Sequence, residues 1–518
     1  MDINKQKKII IIGGGISGLS AGIFGQKNGY ETEIFEKNPV VGGLCTGWIR
    51  KDHLIDGCVH WLTGTEENTE INKTWHDVNA FKQDEIIQPD NFGSVEYQGK
   101  AYTFWCDLER FEKEFINVSP KDKRLIHKMK NYIIKFHKMP LPVFKPISCM
   151  NILDFIKIGF TMIPYLPSYV YASHVSQQKF ADKFKSPILK YVFSRIVPGD
   201  GNIYSALYAY GTVAFKNGGV PKGGSLSIVE NMKKEYLRCG GKIHYLSEVK
   251  HINTKHHKVT NIELKNGEKY TADYYVSAVD AYELTRNLLE NKHKDNHLFK
   301  RFIQKKKYPL PSCVYVSFLV DKNKIEHLDI TSTYEFPCKP LKVGRTIINS
   351  IKMRDYSFDD TFIGDDNRVL LNVLVHQNDK DFYFWKRTRT NYKDYQKEKN
   401  KLGNEIKERI ENHFSSLKNE LELIDVCTPT TYERYTNAYR GAYMPWAFTS
   451  KGNQLFHSTK IRGLKNLIFS GQWTIMPGGL PIALMSGRFA IQIISKKDHK
   501  EVILLNDKYK KEDKTNDK

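Results

Sequence analysis

The sequence predicts an α/β protein, with a βαβ domain assembled from discontinuous segments and an α+β domain of mixed sheet and helices between them. Three observations carry this. Four consecutive isoleucines, Ile9 to Ile12, run straight into a glycine-rich turn and a helix. Further short apolar strands recur near residue 250 and near residue 470. The stretches between have other patterns: mainly helical with interleaved lysines and aromatics over 109–190, alternating strands after 300.

Taken in order, residues 9–36 read as strand, turn, helix (SGLSAGIFGQKNGY, ended by Asn28-Gly29) and second strand (ETEIFE). Residues 94–105 read as a hairpin about Gln98-Gly99. Residues 225–237 form an amphipathic helix stopped by Gly240-Gly241. KIHYLSEV, VTNIELKN and EKYTADYYVSAV follow as three strands, with a turn at Asn266-Gly267. Residues 312–320 and 368–376 alternate as strands, and 392–420 read as one charged helix. LKNLIFSGQ (464–472) is a strand, 480–495 a helix, and the Lys/Asp-rich tail from Lys496 is expected to fray. The expected division is 1–93, 215–300 and 455–495 for the βαβ domain, 94–214 and 301–454 for the other, and 496–518 for the tail.

The first motif is Gly13-Gly14-Gly15-Ile16-Ser17-Gly18, a G-x-G-x-x-G set directly between strand and helix. Gly13 permits the tight turn, Gly15 lets the backbone approach a diphosphate, and Gly18 lets helix pack on strand. Ser17 lies in the first helical turn, whose free N–H groups and dipole favour anions. Glu36 ends the second strand, where a carboxylate accepts hydrogen bonds from ribose hydroxyls and repels a 2′-phosphate. This is a Rossmann-type dinucleotide site. Asn38 to Thr46 follows, with Gly42-Gly43 placed for the chain to pass close to the same diphosphate.

With 518 residues, two or three domains are expected, and 40% hydrophobic against 26% charged content is that of a globular chain. The net charge of +21 favours anionic partners, although the even scatter of lysine also fits a solvated surface. A nucleic-acid binder is disfavoured, since it leaves the glycine loop and Glu36 unexplained. The eight cysteines form no C-x-x-C and stand at no zinc-ligand spacing, so free thiols and no metal are expected. MDINKQKKIIIIGGG is not a signal peptide, and no apolar run reaches about 20 residues. The expected location is cytoplasmic, with membrane association as an open alternative.

FEKNPVVGGLCTGW, IDGCVHWLTG, GGVPKGGSLSIVENM and SGQWTIMPGGLPIALMSGRFAIQII together resemble the phytoene desaturase, carotenoid isomerase and retinol saturase group of amine-oxidase-like flavoproteins. The resemblance implies an extended FAD with its adenosine on the first βαβ unit and Val249 at the adenine. It implies that Gly471 and the segment Gly479, Leu480, Pro481 to Met485 lie beside the flavin. Where that family usually carries an Arg after the Gly pair, this chain has Leu44, leaving Lys37 or Arg50 as substitutes. Gly218 to Gly224 is glycine-rich but reads as lacking a buried strand before its helix, so no second nucleotide domain is expected.

The implied chemistry is desaturation, saturation or cis–trans isomerisation of an apolar polyene or isoprenoid. No catalytic acid or base is assigned; His60, Trp61, Trp473 and Met476 are candidates, with Trp446 as a further aromatic on the flavin's substrate face. The alternative is an amine-oxidase-like enzyme acting on a smaller polar substrate, for which neither an aromatic cage nor a flavin-side lysine is identified. Residues 139–172 are apolar, proline-broken and carry only three charges. They read either as a membrane-facing patch at a tunnel mouth or as a helical subdomain with a buried face.

Overall fold

A computed structural model describes residues 6–140, 143–199, 201–290, 292, 297–328, 332–452 and 454–501. The tail expected to fray from Lys496 does not do so at its start: Lys496 and Lys497 close the C-terminal helix and the Asp498 carboxylate accepts from the Tyr30 and Tyr274 hydroxyls, while residues beyond 501 lie outside the described residues.

The isoleucine run is β1 (Lys8–Ile12), the central strand of a five-stranded parallel sheet. After α1 (Ile16–Lys27) the chain returns as β2 (Glu31–Phe35) beside β1. Tyr274–Ser277 pairs on the other side of β1, with Lys242–His244 and Leu467–Phe469 at the edges. A parallel sheet is covered on both faces, so its central strand is apolar after its first residue; Ile9, Ile10, Ile11 and Ile12 are all buried.

KIHYLSEV is not one strand. Its first three residues join the parallel sheet, and Val249–Lys255 opens an antiparallel meander with Lys258–Leu264 and Lys269–Tyr270. The break has a local cause. Leu246 adopts a φ of 52°, and the amides of Leu246 and Ser247 donate to the carbonyls of Asn38 and Glu36, hooking the chain around the end of β2. EKYTADYYVSAV divides likewise, Lys269–Tyr270 joining the meander and Tyr274–Ser277 the parallel sheet. Gly218–Pro221 is a buried strand after all, paired with Leu62–Thr63 and Ile86–Ile87. Four residues of Gly-Gly-Val-Pro give no alternation to read, and the strand stays outside the parallel sheet.

The second sheet has seven strands, in the order Glu422–Cys427, β3 (Ser312–Asp321), β5 (Arg368–Gln377), β4 (Thr346–Asp355), Tyr334–Val343, Asn91–Tyr97 and Lys100–Trp105. Its outer face packs on Trp385, Tyr395, Leu402, Ile406 and Ile410 of two helices. The charged helix, Tyr392–His413, is shorter than expected and ends where Phe414 turns onto Phe336 and Tyr334. The strand at 464–472 narrows to Leu467–Phe469. Helices fill 108–214, among them α2 (Ile152–Met162), no residue of which is buried. The C-terminal helix α3 (Leu480–Lys497) crosses α1 in backbone contact: a Cβ on Gly487 would stand 2.5 Å from the Ser17 carbonyl oxygen.

Candidate active site

A cavity of about 700 Å3 runs from the C-terminal edge of the parallel sheet to the inner face of the seven-stranded sheet. Parallel sheets open their crevices there, beyond the carboxyl ends of the strands.

Two glycine loops form its floor. Gly42 N–H donates to the Gly14 carbonyl at 2.9 Å and Gly42 pairs with Gly15, so the two loops are zipped together. Gly13 needs its φ of 97°, which a side chain rarely adopts. Gly15, Gly42, Gly43 and Leu44 line the cavity; Gly18 does not, because it faces inward, where a Cβ would stand 2.0 Å from the Gly13 carbonyl oxygen. Ser17 also lines the cavity, but its hydroxyl is engaged with Ser470 Oγ (2.6 Å) and Ser486 Oγ (3.3 Å), so its free contribution is its backbone.

The N-termini of α1 and α3 both open into this cavity, and neither N-cap, Gly15 or Gly479, carries a side-chain cap. Uncapped N–H groups at two helix starts supply positive potential for an anion. This matters because the side chains proposed as arginine substitutes do not both reach the site. Arg50 is outside the lining and pairs with Asp425 at 3.2 Å. Lys37 lines the far end and donates to the Arg434 carbonyl (3.0 Å) and to Asn437 Oδ1.

Glu36 is buried at the same end. Its Oε2 accepts the Gly14 N–H at 2.8 Å, and its Oε1 accepts the Asn38 N–H and side-chain amide, each at 2.9 Å. Burial pushes its pKa up and these bonds oppose that. A carboxylate has about four acceptor sites, so room for one hydroxyl donor remains. Ser247, Glu248, Val249, Asp280 and Glu283 complete this end. Asp280 accepts the Tyr282 N–H at 2.8 Å, and burial pushes its carboxyl up to about 7.

In the middle, Gly471, Trp473, Met476, Gly479, Leu480 and Pro481 line the wall. The Gly471 N–H is held by Ser486 Oγ at 2.8 Å. Met485 and Trp446 are not on it: Met485 packs in the core under α3, and Trp446 is buried edge-on behind Trp473, ring centroids 4.7 Å apart. Two helical positions decide this for Met485: Ala483 lines the cavity, and Met485, about 200° further round the helix, packs in the core.

At the sheet end stand His60 and Trp61, positioned by Asp56. That carboxylate accepts the amides of Cys58 (2.8 Å), Val59 (3.0 Å) and Ser225 (2.8 Å), fixing the loop before His60. Burial, then Arg354 and Lys352, lower the His60 pKa to about 3, so its imidazole is neutral at ordinary pH. Trp61 meets Phe92 edge-on. From the sheet, Tyr315, Lys352, Arg354, Asn372, Leu374 and His376 line one wall. These arise from strand alternation: Tyr315 opposes Leu374 and Arg354 opposes Asn372 across β3, β5 and β4. An apolar arm leads away past Met139, Val143, Ile158, Met162, Tyr204 and Tyr208.

The arrangement fits a dinucleotide with a flavin: a glycyl cradle with open space above Gly15, where the nearest atoms to an added Cβ are 3.7 and 4.0 Å away, an acid at the ribose end, and a second helix start beyond. No group of acids, histidines and cysteines suited to a metal occurs among the described residues, and all eight cysteines are free thiols.

Residues 16–494 match the family described as flavin containing amine oxidoreductase. The chain belongs to this family. It is accordingly an FAD-dependent oxidoreductase. A 1-hydroxycarotenoid 3,4-desaturase of Flavobacterium sp. is 24% identical over 94% of this chain and 99% of its own length. A 4,4'-diaponeurosporene oxygenase of Staphylococcus haemolyticus is 24% identical over 93% and 96%. Among solved structures, an oxidoreductase from Methanosarcina mazei superposes with a TM-score of 0.59 at 16% identity, covering 92% of this chain and 99% of that one. A putrescine oxidase variant superposes with a TM-score of 0.60 at 14% identity, over 95% and 99%. These two show the fold.

Within this flavoprotein site, sequence reasoning missed Asp280, Tyr315, Lys352, Arg354, His376 and Tyr443. For Lys352 and Arg354 a signal existed: two cations spaced by two in the strand segment IKMRD share one face of the sheet.

Proposed function

We propose that this flavoprotein acts on an apolar polyene or isoprenoid, by desaturation, saturation or cis–trans isomerisation. The observation that carries the reading is continuity: one cavity joins the glycine cradle to an arm walled by Met139, Val143, Ile158, Met162 and tyrosine rings. The carotenoid-acting relatives support it. Bound FAD supplies reversible hydride and electron transfer. Gly13, Gly15, Gly42 and Gly43 hold its diphosphate against the α1 start, Glu36 takes its ribose, Lys37 and Val249 stand at the adenosine, and Leu44, Gly471, Gly479, Leu480 and Pro481 flank the rest. Trp61, Trp473 and Met476 wall the substrate's path and exclude water, and His60 stands as a neutral proton carrier beside it. Segments 1–93, 215–300 and 455–495 make up the cofactor part in this reading, and 94–214 and 301–454 the substrate part.

Entry is from a bilayer. Ile158 and Met162 of α2 reach the cavity, while Ile152 (78% exposed), Leu153, Phe155, Ile156 and Phe160 (72%) face outward, continuing through Ile163, Leu166 and Val170. A helix with no buried residue and this many exposed apolar side chains is what an interfacial helix requires. No helix among the described residues is long and apolar enough to cross a membrane. A protonated amine is a poor alternative, since Lys352 and Arg354 line the sheet wall. The test is product analysis: FAD-loaded protein with carotenoid in anionic liposomes, extracted and resolved by chromatography, is expected to yield polyenes with altered double bonds. Unchanged polyenes, with peroxide released from putrescine, overturn the proposal.

A further inference from the structure

The charges on the cavity wall are segregated. Among the described residues, its acids are Glu36, Glu248, Asp280 and Glu283, all at the adenosine end, where Lys37 also lies. The other two cations, Lys352 and Arg354, stand on the sheet wall with His60, His376 and Tyr443, and no acid lines the cavity there. The pole is built by alternation. Lys352 and Arg354 are two residues apart on β4, so both point to one face, roughly 7 Å apart at about 3.4 Å per residue.

Arg354 is anchored: its guanidinium donates to the His60 carbonyl at 2.7 Å. His376 Nδ1 is paired with the Tyr443 hydroxyl at 3.2 Å. Lys352 differs. Among the described residues its ammonium has no hydrogen-bond or ion-pair partner, and burial holds its pKa below the usual lysine value. The carboxylate that acts on it through space, Glu335, is itself held by Ser350 Oγ (2.8 Å) and Arg195 (3.3 Å). A half-buried ammonium facing an apolar cavity is costly unless something pairs with it.

We infer that this pole receives the carboxylate end group of a long apolar substrate, docked between Lys352 and Arg354 with the hydrocarbon lying along the apolar arm. A carboxylate has two oxygens and accepts charge-assisted bonds of about 2.7–2.9 Å, which is enough to bridge two cations at this spacing. The inference rests on the apolar-substrate reading above and names the substrate class more closely: an amphiphilic polyene acid, not a plain hydrocarbon.

A matched pair tests it. All-trans-retinoate and all-trans-retinol share chain and shape and differ at the end group. Each is titrated into the FAD-loaded protein, with tryptophan quenching and the flavin difference spectrum as readouts. A hydrogen bond to a charged group is worth about 1.5–3 kcal/mol, so retinoate is expected to bind about 10- to 150-fold more tightly than retinol. Lys352→Met, close in shape and without charge, is expected to bring the ratio near one; Lys352→Arg, which keeps the charge, is expected to retain the preference. FAD content and thermal midpoint report whether each variant is folded. Equal binding of the two ligands by the wild type, or an unchanged ratio in a folded K352M, overturns the carboxylate pole alone. Failure of both retinoids to bind, with putrescine reducing the flavin, overturns the apolar-substrate reading beneath it.

Discussion

Gly15 and Gly18 lie three residues apart in one motif, and the structure gives them opposite roles, so Gly15→Ala and Gly18→Ala should separate binding from folding. Gly15 has φ −74° and ψ −179°, open to any residue, and an added Cβ meets nothing nearer than 3.7 Å. An alanine there is therefore compatible with the fold, and such changes stabilise by about 0.4–1 kcal/mol through the unfolded chain. The methyl instead occupies the space through which a phosphoryl oxygen reaches the backbone. Loss of one hydrogen bond to a charged group, about 1.5–3 kcal/mol, weakens FAD binding about 10- to 150-fold. At Gly18 the added Cβ stands 2.0 Å from the Gly13 carbonyl oxygen, whereas ordinary contact begins at 3.4 Å, so turn and helix must part by 1.4 Å, the difference. Overpacking of that kind costs about 1–3 kcal/mol or more. Flavin-stripped proteins should be compared by differential scanning calorimetry and by FAD titration calorimetry. G15A should melt at or above the wild type and bind FAD weakly; G18A should melt lower. Wild-type FAD affinity in G15A, or wild-type stability in G18A, refutes the assignment.

Three further outcomes follow from the same geometry. His60→Ala is expected to keep its FAD and lose about 100-fold in polyene turnover, the lower end of what a proton carrier supplies; unchanged turnover removes His60 from the chemistry. Vesicle flotation with anionic liposomes should carry the wild type upward and leave an Ile152→Ser/Phe160→Ser double variant behind, whereas a wild type wholly in the soluble fraction rules out the α2 patch as a membrane contact. Glu235 provides a pH signature: burial pushes its carboxyl up, but Arg238 and Lys27, at 2.7 Å each, outweigh this and bring it to about 2. A depressed carboxylate stabilises fully above its unfolded value near 4.3 and loses that contribution as pH falls towards 2. In urea titrations the stability gap between wild type and Glu235→Gln should hold from about pH 5 to 7 and narrow below about 4.5; a gap that widens on acidification contradicts the ion pairs.

What the sequence made legible followed from local physics. The isoleucine strand, the glycine turn and Glu36 are adjacent in the chain, so motif and fold are one observation. Short strands with ordinary composition were harder. Gly218–Pro221 has no alternation, and the Tyr334–Val343 strand is interrupted by an irregularity between Pro337 and Leu341. The hook at Leu246 depends on carbonyls of Glu36 and Asn38, far away in sequence. Met485 and Trp446 illustrate another limit: a residue two positions past a lining residue on a helix, or one ring behind it in an aromatic cluster, faces the core. Tyr443, Lys352 and His376 come from three elements of the second sheet and its loops, and only tertiary packing brings them against His60.

The most direct test of the central claim is the visible spectrum of the purified protein, followed by FAD titration of the stripped form. The flavin account requires flavin bands at one FAD per chain, lost on stripping and restored on adding FAD. A colourless protein that shows no binding heat or spectral change with added FAD contradicts it.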